Sequence, residues 1–105
     1  MTSTITNHPP TLANVLQLLR AHRADLFARY PLRTLAVFGS VSRGDNGPES
    51  DVDIMVEFTQ PVGMEFIRLA DELEEILGCK VDLVTRKGVK DRYFKHIEPD
   101  LQYVF

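Results

Sequence analysis

Apolar residues along this chain switch from helical spacing to alternation and back, and each switch marks an element. After Thr11, placed to cap a helix, Leu12, Val15, Leu16, Leu19, Leu26 and Phe27 recur at helical period, predicting one helix that Pro31 ends. Leu32 to Phe38 reads as a strand running into Gly39, after which Ser40 to Arg43 begins a short helix. Gly44-Asp45-Asn46-Gly47-Pro48-Glu49-Ser50 is dense in turn formers and reads as a loop. From Asp51 onward the pattern alternates. Val52, Ile54, Val56 and Phe58 would form one apolar face, with Asp51 and Asp53 projecting from the other. Gly63 opens a second long helix with Phe66, Ile67, Leu69, Ala70, Leu73, Ile76 and Leu77 apolar, and Gly78 suits its C-terminal cap. The acids Asp71, Glu72, Glu74 and Glu75 on that helix read as a solvated face. Lys80 to Val84 is a short strand that turns Val81 and Leu83 one way and Asp82 the other. Residues 89–97 are expected to form a short helix, and Leu101 to Phe105 is an apolar end with two readings, packing on the domain or meeting a partner.

This order predicts an α+β (α/β) domain: a small mixed sheet with helices packed on one face and the carboxylates on the other, open face. Residues 1–10, polar and ending in two prolines, are expected to be a flexible N-terminal tail, and 11–105 a single domain. With 105 residues and 44% hydrophobic content, one modest core is feasible. No apolar run is long enough to span a bilayer and no signal-peptide pattern opens the chain, so a cytoplasmic location is expected. Cys79 is the one cysteine, which excludes an internal disulfide; it reads as a small buried residue and not a nucleophile.

A net charge of −3 argues against an extended nucleic-acid surface, which would need many Lys and Arg contacts to phosphates. Arg86, Lys87, Lys90, Arg92 and Lys95 nevertheless fall close together beside His96, either to grip an acidic group or as a solvated helix face. His8, His22 and His96 show no metal-ligand spacing.

The chemistry concentrates in two short segments and a third carboxylate. Gly39 lets backbone approach a phosphate without a Cβ in the way, free N–H groups at the start of the short helix point at an anion, Ser40 adds a hydroxyl and Arg43 a positive charge. Ten residues separate Ser40 from Asp51, and Asp51 and Asp53 at i, i+2 share one strand face. Carboxylates so placed suit hard divalent ions such as Mg2+, and two such ions about 3.5–4 Å apart serve in-line phosphoryl displacement. If the Asp82 strand neighbours theirs, Asp82 would complete the cage or take a proton from the nucleophile.

The run Gly39-Ser40-Val41-Ser42-Arg43-Gly44, followed by Ser50-Asp51-Val52-Asp53-Ile54 and the third carboxylate Asp82, closely resembles the signature of the polymerase-beta-like nucleotidyltransferase superfamily. The short chain is similar to the minimal nucleotidyltransferase (MNT) family, the antitoxin partners of HEPN-domain toxins in prokaryotic two-gene modules, with the resemblance covering roughly residues 30 to 105. It implies transfer of AMP from ATP to a tyrosine hydroxyl of a cognate HEPN RNase toxin, in a hetero-oligomer with that toxin. Asp51, Asp53 and Asp82 would be catalytic and hold two Mg2+ ions, and Gly39, Ser40 and Arg43 would bind the phosphates. Two other readings stay open: an antitoxin that masks its toxin without catalysis, and nucleotidyl transfer to a small molecule or RNA.

Overall fold

A computed structural model describes residues 10–105. The expected tail therefore lies almost wholly outside the described residues; its last residue, Pro10, is held by a 2.9 Å hydrogen bond from Asn46 Nδ2 to its carbonyl.

The chain folds as α1 (Leu12–Ala21), α2 (Arg23–Arg29), β1 (Leu32–Phe38), α3 (Gly39–Arg43), β2 (Val52–Phe58), α4 (Glu65–Leu77), β3 (Val81–Thr85), α5 (Asp91–Ile97), a 3-10 turn (Glu98–Asp100) and β4 (Gln102–Tyr103). Thr11 caps α1 as its sequence position implies, its Oγ1 accepting from the Asn14 N–H at 3.2 Å. The helix expected to run on until Pro31 breaks at His22, whose ψ of 12° leaves the helical region and whose N–H turns back to Leu19 and Arg20 carbonyls. Leu19 and Leu26 are seven residues apart, two helical turns, so the apolar period continues across the break and hides it. No glycine or proline marks it either. The second long helix begins two residues later than expected, at Glu65, whose carboxylate accepts from the Gly63 N–H.

The sheet is mixed, in the order β3-β2-β1-β4. β1 pairs antiparallel with β2 and β4, while β2 and β3 run parallel. A parallel neighbour requires a long crossover, and residues 59–80, with α4 in the middle, supply it. Val52, Ile54 and Val56 are fully buried in one cluster with Leu19, Leu26, Leu35, Val37, Val41, Leu69 and Leu73, and Phe58 packs at its margin. Two polar struts lock the helices: Arg29 and Tyr30 both bond Glu72, and the Val81 N–H donates to Glu74. Burial and the Glu72 carboxylate push the Tyr30 hydroxyl up to about 12, so it remains a donor. Thus two of the four acids assigned to a solvated face of α4 are internal acceptors.

The carboxylate face is less open than the alternation implied. Ala36 and Met55, cross-strand partners on that face, are buried, as is Ile97 of α5, and the 3-10 turn packs on β1 and α3. Alternation reports which side a residue faces but not what later chain covers. The C-terminal strip is built into the domain: Val104 is buried and donates to the Leu35 carbonyl at 2.7 Å, and the Phe105 ring lies 4.9 Å from that of Phe27. Gln102 and Tyr103 remain exposed on the sheet edge.

Candidate active site

Topology alone brings the sequence-predicted residues to one end of the sheet. Because β1 and β2 are antiparallel, the end of β1 lies beside the start of β2, with Phe38 opposite Asp53. Because β2 and β3 are parallel, their starts coincide, and Asp53 stands opposite Asp82. The adjacency that the sequence left as a condition is therefore met. Asp51 immediately precedes β2 and is exposed, as is Asp82, while Asp53 is half-buried.

Gly39, at the β1–α3 junction, has φ of 77°, a conformation that a side chain resists. A Cβ there would also overlap the Asp53 carboxylate at Oδ2. Gly39 is thus required twice, by its own backbone and by the acid packed against it. Ser40 follows on α3 and is half-buried. Val41 is fully buried and ties the helix to the core.

The acids of the site repel one another. Burial, then the charges of Asp82 and Asp51, then a hydrogen bond shared with Asp82, push the Asp53 carboxyl up to about 6, against a smaller opposing pull from Arg43. Adjacent carboxylates that repel one another in this way form a site poised for a cation. Among the described residues no three acidic, histidine or cysteine side chains converge as a ready-made metal site. The three carboxylates expected from the sequence are accordingly not gathered as a ready-made cage: Asp53 and Asp82 are paired across the strands, and Asp51 stands just before β2. The donor set still fits Mg2+, because it is all carboxylate oxygen and its mutual repulsion is what a divalent ion relieves.

Arg43 is not a free cation. Its Nε meets Asp45 at 3.0 Å and its Nη1 meets Asp100 of the 3-10 turn at 2.8 Å, while the neighbouring Ser42 hydroxyl donates to the Asp100 carbonyl. Asp100 had no signal in the sequence, standing 57 residues away in a turn. In the basic cluster after β3, Arg86 stacks 3.7 Å from the Phe94 ring and donates to the Val89 carbonyl and Asp91, while Lys87, Lys90, Arg92, Lys95 and His96 are exposed. Cys79 is half-buried, and burial with the nearby Glu74 and Asp51 charges pushes its thiol up, away from nucleophilic use.

A sheet end that sets a glycine-serine turn against paired aspartates on neighbouring strands defines a nucleotidyl-transfer site, and the family model for the nucleotidyltransferase domain matches residues 19–103. The chain belongs to that family and, within it, to the minimal nucleotidyltransferases. A Methanocaldococcus jannaschii relative, provisionally named a protein adenylyltransferase, is 45% identical over 98 residues, covering 90% of this chain and 98% of its own. The protein adenylyltransferase MntA of Thermococcus cleftensis is 39% identical over 95 residues, covering 90% and 96%. A solved structure assigned as a minimal nucleotidyltransferase superposes with a TM-score of 0.68 at 33% identity, over 83% of this chain and 93% of that one. The fold is shared, at 22% identity and a TM-score of 0.63, with a structure of the tri-AMPylated Shewanella oneidensis HEPN toxin in complex with MNT antitoxin, over 86% of this chain and 71% of that one. No helix among the described residues is long and apolar enough to cross a membrane.

Proposed function

We propose that this chain is an antitoxin that transfers AMP from ATP to a tyrosine hydroxyl of a partner HEPN-domain toxin, forming a hetero-oligomer with it. The observation that carries the reading is the cross-strand pairing of Asp53 with Asp82 beside Gly39. The names of the relatives support a protein as acceptor, and the toxin complexes that share the fold support the kind of partner.

Gly39 and the α3 amides receive the β- and γ-phosphates, with the Ser40 hydroxyl donating to one of their oxygens. Asp51, Asp53 and Asp82 would hold Mg2+, two ions in the full reaction, which when bound neutralises phosphate charge and favours the ionised acceptor. The acceptor oxygen attacks the α-phosphorus, forming the new P–O bond as the bond to the β-phosphate breaks and pyrophosphate leaves. Asp82, the exposed acid opposite Asp53, takes the acceptor proton.

The test mixes the purified protein with α-labelled ATP, Mg2+ and its candidate toxin. Label should pass to the toxin, and Ser40→Ala should cut that transfer about tenfold or more while a pull-down still recovers the complex. Toxin neutralisation by Ser40→Ala in cells, with transfer lost, would instead support masking without catalysis. Label appearing on a small molecule or RNA and not on protein would sink the proposed acceptor.

A further inference from the structure

The geometry points to Asp100 as a positioning residue for nucleotide, acting through Arg43 to hold the phosphate-binding helix in place. α3 is five residues long, too short to be stable by its own hydrogen bonds, so its position depends on what ties it down. On its inner side Val41 is fully buried. On its outer side both ties lead to one residue: the Ser42 hydroxyl donates to the Asp100 backbone carbonyl, and Arg43 Nη1 donates to the Asp100 carboxylate at 2.8 Å. The Asp100 side chain is 20% exposed whereas that of the other Arg43 partner, Asp45, is 60% exposed. Arg43 meets Asp45 twice, through Nε at 3.0 Å and Nη2 at 3.5 Å, but Asp45 is two residues away and ties the helix only to its own loop, whereas the more sheltered Asp100, 57 residues away, ties it to the rest of the fold.

This assignment changes the role of Arg43. A guanidinium engaged by two carboxylates has its charge already compensated and its fork already occupied, so it serves as a strut and not as a phosphate ligand. The strut also links the start of the C-terminal strand to the nucleotide end of the sheet, because the 3-10 turn that carries Asp100 leads directly into β4.

The two roles for Arg43 predict opposite results. If Arg43 is a strut, Arg43→Gln and Asp100→Asn should each raise KM for ATP about fivefold with kcat held within about twofold, and the double variant should be no worse than either single, since both remove one link. Asp45→Asn should leave KM within about twofold. If Arg43 contacts phosphate directly, Asp100→Asn frees it, and KM stays unchanged or falls. That result, or effects that multiply in the double variant, would overturn the assignment.

The kinetic comparison rests on the proposed transfer reaction, but a second measurement does not. Amide hydrogen exchange without nucleotide should speed up about tenfold in Asp100→Asn at Gly44 and Asp45, whose N–H groups bond the Ser40 carbonyl at 2.9 and 3.1 Å, and stay unchanged across α4. Unchanged exchange at Gly44 and Asp45, or loss of protection throughout α4 as well, would overturn the strut. A wild-type protein that transfers no AMP but shows this local release would count against the reaction and leave the strut standing.

Discussion

The two faces of β2 are one residue apart in sequence and do opposite work. Val52, Ile54 and Val56 point into the core and are fully buried, satisfied by packing alone. Asp53, between them, faces the other way, half-buried beside a second aspartate whose charge opposes its own. The apolar face contributes stability through removal of surface from water. The acidic face spends some of it, because a carboxylate is held where its ionised form is disfavoured. The contrast puts the proposed site where local structure is least comfortable, on a strand anchored by its other face.

Three measurements break the two faces apart, in decreasing size of effect. Asp53→Asn removes the charge that the proposed reaction needs and the repulsion that the fold tolerates. Transfer of label should fall about a thousandfold or more, equivalent to about 4 kcal/mol in the barrier, with the melting temperature equal to wild type or slightly higher. Undiminished transfer in this variant would remove Asp53 from the chemistry.

On the other face the effects reverse. Ile54→Ala empties a site with no exposure in the centre of the sheet, and should cost about 2–5 kcal/mol in denaturant unfolding. Activity per folded molecule, measured well below the new midpoint, should stay near wild type. A loss of specific activity as large as that of Asp53→Asn would show that the two faces are not separable.

The smallest effect is the pH dependence of stability without metal. Folding raises the Asp53 carboxyl from 3.8 to about 6, so the folded chain binds this proton more tightly than the unfolded one. The contribution is fully present below the lower value and is lost as pH rises through the upper one. For a carboxylate only half-buried, solvent screening reduces it to about 1 kcal/mol. Urea midpoints of wild type minus Asp53→Asn should therefore decline between about pH 4 and pH 6.5, and a flat difference would mean that the acids of the site do not oppose folding.

The alternation that separates the two faces was fully legible in the chain. The strand after Asp51 was readable because a strand with one buried face alternates, Leu32 to Phe38 because its apolar run ends at a glycine, and Gly39, Gly44 and Gly78 all occupy the left-handed region that turns and helix ends demand. The break at His22 was not, because two helices that bury the same stripe leave the same period as one. The internal roles of Glu72 and Glu74 were also hidden, since a charged residue on a helix reads as solvated until the partner that reaches it is known.

By itself the sequence determined which strand faces the candidate carboxylates occupy, because spacing along a strand dictates side-chain direction through local geometry. Only the tertiary structure decided that Asp82 stands opposite Asp53, that Asp53 fills the space a side chain at Gly39 would need, and that Arg43 is held by Asp100. Strand order depends on the crossover through α4, and the Asp100 contact on a turn 57 residues from Arg43; both are set by how the whole chain closes and not by any local pattern.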